Sequence, residues 1–206
     1  MENNTESSAV PKVVEWMHEQ LVVAHFDLAE YKKIFTSVQE DLDVLNSTGS
    51  LFFARLHRLY WSSFIQNAGR LMDPAVSMGR DNISLARLVQ DAKALPFHES
   101  ITALKAEADG HWEPLKKIRN RVIAHSDFEL VVTVPSEVHK AETESIERIY
   151  AMAGECIKLY YRHFENVGVG YDHIWHHGGA TQMLSYLKRG RDAWELERRE
   201  RIARQP

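Results

Sequence analysis

Cysteine is almost absent: Cys156 is the only one in 206 residues. A lone thiol forms no internal disulfide and no zinc-finger array, and the chain fits a reducing, cytoplasmic compartment. Long apolar runs are missing too. None approaches the roughly 18 residues of a membrane helix, so no membrane partner is expected. The opening MENNTESSAVPKVVEW lacks a basic stretch followed by an apolar one and is not expected to act as a signal peptide. No charge dominates, since 25 Lys and Arg face 29 Asp and Glu for a net −4 with His neutral. That balance excludes a bulk polyanion binder and confines any nucleic-acid contact to a local patch. A glycine-rich phosphate loop, Gly-x-Ser-x-Gly and His-Glu-x-x-His are all missing, which removes the main support for kinase, α/β-hydrolase and zincin chemistry.

What the chain has is helical periodicity. With 44% hydrophobic and 26% charged residues, it can bury a core without staples and is not a disordered segment. Leu28, Tyr31, Phe35, Val38, Leu42 and Leu45 form one stripe at steps of three and four, predicting a single helix ended by Ser47-Thr48-Gly49-Ser50. Phe52, Leu56, Leu59, Tyr60, Phe64, Ala68 and Leu71 form the next, stopped by Asp73-Pro74. A polar loop through Gly79–Asn82 follows, then a short helix carrying Leu85, Leu88 and Ala92, capped by Ser84 or Asn82. Another short helix carries Phe97, Ile101, Leu104 and Ala108 and is expected to close at Asp109-Gly110. The next spans His111 to His125, with Pro114 in its first turn. Residues 128–134 are the clear β-prone run. A long helix carries Ile146 to Phe164, and a charged helix over about 181–203 ends the chain. The expectation is an all-α, antiparallel helical bundle with a short β-prone excursion near 128–134. Its domain division is a bundle over 10–165 and a loop with a charged helical appendage over 166–206.

The segment Ile118-Arg119-Asn120-Arg121-Val122-Ile123-Ala124-His125-Ser126-Asp127 is densest in chemistry. On an ideal wheel with Trp112 at zero, the apolar face runs from roughly 240° to 20°, with Arg119 at about 340° and His125 at about 220°. Both polar residues therefore lie in or at the edge of the inward arc. A guanidinium there needs a partner. One reading is an Arg satisfied by a carboxylate from another helix, with a core His bonded to backbone. The other is a cleft that binds a polyanion. Histidine near a helix end feels the negative pole of the dipole, and an acid or base titrating near neutrality beside a fixed cation suits phosphodiester cleavage.

Arg119-Asn120 followed by His125 resembles the Arg-polar-x4-His motif of the HEPN superfamily (higher eukaryotes and prokaryotes nucleotide-binding domains). The setting resembles its abortive-infection U branch: a long helix ending in Leu71-Met72-Asp73-Pro74, a helix start at Asn82-Ile83-Ser84-Leu85, then the Arg-Asn-Arg-x-x-Ala-His-x-Asp helix. The resemblance covers residues 10–165 and implies an all-α bundle that dimerises with the motif helices facing across a two-fold axis. It implies a metal-independent endoribonuclease of phage defence or toxin–antitoxin type, leaving a 2′,3′-cyclic phosphate. Carried over by position, His125 is the general acid/base, Arg119 stabilises the phosphorane, and Asn120 orients the cleft. The expected partners are RNA, a second copy of the chain, and an antitoxin or nucleotidyltransferase. No cofactor is expected. Arg119 and His125 stand about 120° apart on a straight helix, so one phosphate needs a second subunit or a distorted helix end. The alternative is a non-catalytic module of the same type that binds a nucleotide, RNA or a protein.

Arg121, Asp127 and Lys116 are secondary candidates for substrate contact. Arg121 is one turn from His125, and Asp127 either orients the imidazole or caps a turn. His173, His176 and His177 lie beside Asp172, but adjacent histidines do not easily share an ion and no second cluster completes a site, so no metal is expected. The charge-mixed tail from Lys188 to Arg204 reads first as a solvated helix and second as a contact for RNA phosphates.

Overall fold

In the computed structural model, residues 9–35, 38–120, 136–171 and 179–204 are described. The β-prone run at 128–134, the residues Arg121, His125 and Asp127, and the three histidines of the 172–178 segment lie outside them. Among the described residues the protein is all-α, with α1 (Lys12–Phe35), α2 (Gln39–Leu71), α3 (Leu85–Asp91), α4 (His98–Ile118), α5 (Ser136–Phe164) and α6 (Ala180–Ala203). The exception is a two-strand hairpin, β1 (Val76–Ser77) with β2 (Arg80–Asp81), paired antiparallel where a plain loop was expected. The described residues divide between two compact units, one within Met1–His25 and Ser62–His173, the other within Phe26–Trp61 and Ile174–Pro206.

In the first unit α4 packs along α5, and α3 touches both. Phe97, at the start of α4, meets Tyr160 and His163 near the end of α5, which fixes the two helices antiparallel. The α5 stripe is buried as its period demands: Ile146, Ile149, Tyr150, Ala153, Cys156, Ile157 and Tyr160 are all fully inaccessible. Its two tyrosines keep their hydroxyls satisfied on other backbones, Tyr150 donating to the Phe64 carbonyl at 3.4 Å and Tyr160 to the Leu88 carbonyl at 2.7 Å. Burial pushes the Cys156 thiol up to about 12, so it sits there as an inert apolar filler. Ser84 caps α3 by accepting the Arg87 N–H at 3.3 Å. Asn82, the other expected cap, instead donates to the Pro74 carbonyl at 2.7 Å.

Tyr171, also buried, ties the chain after α5 back to α1. His25 stacks on its ring, and His18 shares a 2.8 Å hydrogen bond with its hydroxyl through Nδ1. Burial lowers the His18 pKa from its ordinary 6.5, against a smaller opposing pull from Glu19. The unfolded chain therefore takes up this proton first. Stability from His18 is intact above about pH 6.5 and is lost as pH falls toward the folded-state value. His18→Gln is expected to flatten that part of the melting-temperature profile below about pH 6.5.

In the second unit Ile34, Leu45, Phe53, Ala180 and Leu184 form the core. The buried Glu30 carboxylate accepts the Ala180 N–H and so caps α6. A Cβ at 179 would lie 2.6 Å from Glu30 Oε2, so a larger residue there would have to displace the Glu30 carboxylate from its cap.

Three helix boundaries differ from expectation. The Leu28–Leu45 stripe is shared by α1, which ends at Phe35, and α2, which begins at Gln39, with Val38 66% exposed. Periodicity alone does not register a break that keeps its phase. Ser47-Thr48-Gly49-Ser50 lies inside α2: the Ser47 and Thr48 hydroxyls donate back to the Val44 carbonyl, and only Gly49 leaves helical geometry. Asp109-Gly110 does not close a helix either. α4 runs through it to Ile118, with Lys105 holding Asp109 one turn away at 2.6 Å. Pro114 is thus inside α4, where it removes a bond to the carbonyl of Gly110.

Candidate anion site at the end of α4

Two helix ends build the candidate site, both within the first unit. Pro74 stops α2 at Leu71, which leaves Asp73 just beyond the last turn. The end of α4 carries Trp112, Lys116, Arg119 and Asn120. Trp112 and Leu115 are buried at 6% and 0%, while Arg119 stands at the edge of that face with its side chain 36% exposed. The wheel set Trp112 and Leu115 on the buried face correctly but put Arg119 inside that face, where the structure holds it at the edge.

Three groups hold the Arg119 guanidinium. Its Nη1 lies 3.4 Å from Asp73 Oδ1. Its Cζ lies 5.6 Å from the centre of the Trp112 ring. Its stem crosses the bare backbone of Gly69, where an added Cβ would lie 2.8 Å from Nη1, 3.0 Å from Cδ and 3.2 Å from Trp112 Cη2. The expected carboxylate partner is therefore real and comes from the Leu71-Met72-Asp73-Pro74 turn. The pair is long for a hydrogen bond and more than a third exposed on both sides. A guanidinium has five N–H donors, and this contact occupies one of them, at Nη1.

The backbone changes at the same place. Arg119 keeps helical angles, its N–H reaching the carbonyls of Leu115 and Lys116, and residues 119–120 then widen into a π-type turn. Single π-type turns within α-helices are frequent at functional sites. Asn120 is exposed beside Arg119. Lys116, one turn back, is exposed and loosely paired with Glu113 at 3.6 Å. A preformed cation at a solvent boundary, with a second cation three residues away, suits a phosphate oxygen better than a neutral ligand.

Of the residues expected from sequence, the structure brings Arg119, Asn120 and Lys116 to one helix end. His125, Arg121 and Asp127 lie outside the described residues. Sequence reasoning had no means of finding Gly69, and it read Asp73 as a helix stop without seeing it as a partner. Gly69→Ala is expected to keep the fold, since alanine favours helix by about 1 kcal/mol over glycine. It is also expected to drive Arg119 off Asp73. A structure of the variant with its melting temperature checks both. Among the described residues no three His, Cys, Asp or Glu side chains gather as a metal site, and no described helix is long and apolar enough to cross a membrane.

Comparison with known proteins adds one match. No curated protein and no solved structure matches significantly. The sequence profile of the HEPN family AbiU2 matches residues 8–178, a span that contains Asp73, Trp112 and the whole Arg119–His125 motif. With most of its length inside that match and an all-α architecture around the motif, the chain belongs to the AbiU2 family of HEPN domains.

Proposed function

We propose that this protein is a metal-independent endoribonuclease of phage defence or toxin type, working at a cleft between two copies of the chain in the cytoplasm. The observation that carries the reading is Arg119, clamped by Trp112, Gly69 and Asp73 yet open to solvent, at the head of an Arg-Asn-x4-His motif. Membership of a HEPN family supports the coarser reading of a nuclease or nucleotide-binding module in defence.

The chemistry needs a base, an acid and a cation. The ribose 2′-oxygen attacks the adjacent phosphorus as one His125 takes its proton. Charge builds on the phosphorane oxygens, where Arg119 meets it with N–H donors already in place. The bond from phosphorus to the 5′-oxygen then breaks, and the second subunit's imidazolium supplies that oxygen's proton. The products are a 2′,3′-cyclic phosphate and a 5′-hydroxyl. Asn120 orients the phosphate, with Arg121, Lys116 and Asp127 as its outer contacts. An antitoxin or nucleotidyltransferase partner would restrain this activity.

The test is cleavage of RNA in EDTA. The wild type is expected to cut, and His125→Ala to lose about 10²–10⁴-fold of the rate, the span attributed to a general acid or base. Equal rates in both proteins would overturn the catalytic role.

The Asp73 pair favours one other reading, in which Arg119 is a structural anchor of a non-catalytic binding module. That reading expects Arg119→Ala to lower the melting temperature or break the dimer, with no cyclic phosphate from any variant.

A further inference from the structure

The hairpin that follows Asp73 ends in an apolar residue that packs on nothing. Ser77 pairs with Arg80, so Met78 and Gly79 form the turn. Both have positive φ, 50° and 74°, which makes it a type I′ turn. That turn favours Asn-Gly, and a Met in its first position holds a left-handed backbone at a cost. No packing offsets the cost, because Met78 is completely exposed at 102%. Val76 on the same hairpin is half exposed, and Arg80 is exposed with its charge toward water.

The tip stands on a fixed base. Asn82 Nδ2 donates to the Pro74 carbonyl at 2.7 Å and to Ser77 Oγ at 2.9 Å, and the Asn82 N–H reaches the Ala75 carbonyl at 2.8 Å. Asp81 pairs with Arg87 at 2.9 Å, and Arg87 is held in turn by Asp91 at 2.9 Å. A strained, unpacked apolar side chain on a rigid support lowers the stability of the free protein, and such strain recurs where a ligand is met. Its place is set by the chain. Met78 follows Asp73 by five residues, so the two Cα atoms are at most about 18 Å apart. Asp73 itself touches Arg119.

We propose that the Val76–Asp81 hairpin is the base-contacting tip of the anion site, with Met78 wedged between neighbouring bases of a single-stranded RNA and Arg80 on an adjacent phosphate. The proposal rests on the ribonuclease reading. RNA fits the tip better than a second protein surface does. One apolar side chain is far short of the roughly 800 Å² that each partner buries in a stable protein interface. A lone apolar wedge beside a cation is the form in which Met and similar residues part stacked bases.

The test uses Met78→Asn and Arg80→Ala in the full chain, on a His125→Ala background so that the RNA stays intact. The probe is a labelled single-stranded RNA of about 16 nucleotides carrying 2-aminopurine. Asparagine suits the left-handed turn, so Met78→Asn is expected to melt at the same temperature or higher. Its RNA affinity is expected to fall about tenfold, and the rise in 2-aminopurine fluorescence that reports unstacking is expected to disappear. Arg80→Ala is expected to lower the salt slope of binding by about one. If Met78→Asn binds with unchanged affinity and fluorescence, the hairpin proposal is overturned while the RNA reading stands. If it changes the sedimenting mass and leaves RNA affinity alone, the tip is a protein contact and the proposal is equally overturned. If the parent protein binds no RNA, the reading and the proposal fall together.

Discussion

Arg119→Ala is expected to reduce RNA cleavage by about 10²–10³-fold, the cost of removing one preorganised donor to a developing oxyanion. The melting temperature is expected to fall by less than about 8 °C. The Asp73 pair is 3.4 Å long and over a third exposed on both partners, so water screens it and its worth is about 0–1 kcal/mol. The contact with Trp112 adds about 0.5–1 kcal/mol at such a site. For a chain of this size about 1 kcal/mol is 2–4 °C. Arg119→Lys keeps the charge but loses the planar fork that two phosphate oxygens can share, so it is expected to recover only part of the rate. A structural anchor would give the opposite pattern, with a large thermal loss and no catalytic one. Cleavage rates and thermal melts on the same three proteins separate the two.

The second large effect concerns the frame that carries the site. Tyr160→Ala is expected to destabilise the protein by about 3–5 kcal/mol, as truncation of a large buried ring does. Tyr160 is fully inaccessible, meets Phe97 edge-on at 5.0 Å, and lies parallel to Phe164 at 6.2 Å. Losing it opens a cavity at the place where α3, α4 and α5 converge. The expected fall in melting temperature is about 6–20 °C. Tyr160→Phe isolates the hydroxyl. The Leu88 carbonyl that it serves also accepts the Ala92 N–H at 3.0 Å, so the carbonyl is not orphaned and the cost should stay near 1 kcal/mol. Denaturant melts of both variants check the ratio.

Helices were legible wherever burial is one-sided. The α5 stripe, the Asp73-Pro74 stop and the Ser84 cap all follow from local rules, because each depends on residues within a turn or two of one another. Boundaries failed where a local breaker was outvoted by its surroundings. Asp109-Gly110 and Pro114 continue a helix because Trp112, Leu115 and Ala108 bury against the rest of the bundle, and that gain exceeds the roughly 1 kcal/mol for Gly and 3 for Pro. In the α2 stripe Phe64, Ala68 and Leu71 are buried as read, while Phe52 and Leu59 are exposed and their neighbours Phe53 and Trp61 are buried in their place. At the site, the wheel placed Arg119 within a buried face that its partly exposed side chain only borders. It gave no view of Asp73, which is 46 residues away in sequence, nor of Gly69, whose role is an absent side chain. Contacts of that kind come from how two helix ends meet, and periodicity does not carry it.

The central claim concerns how the phosphodiester is broken, and the ends of the product report on that directly. Mass spectrometry of a short RNA cut by the wild-type protein in EDTA should find 2′,3′-cyclic phosphate and 5′-hydroxyl ends, formed about 10²–10⁴-fold more slowly by His125→Ala. Cleavage that leaves 3′-hydroxyl and 5′-phosphate ends, or cyclic-phosphate ends that form equally well without His125, would contradict the account.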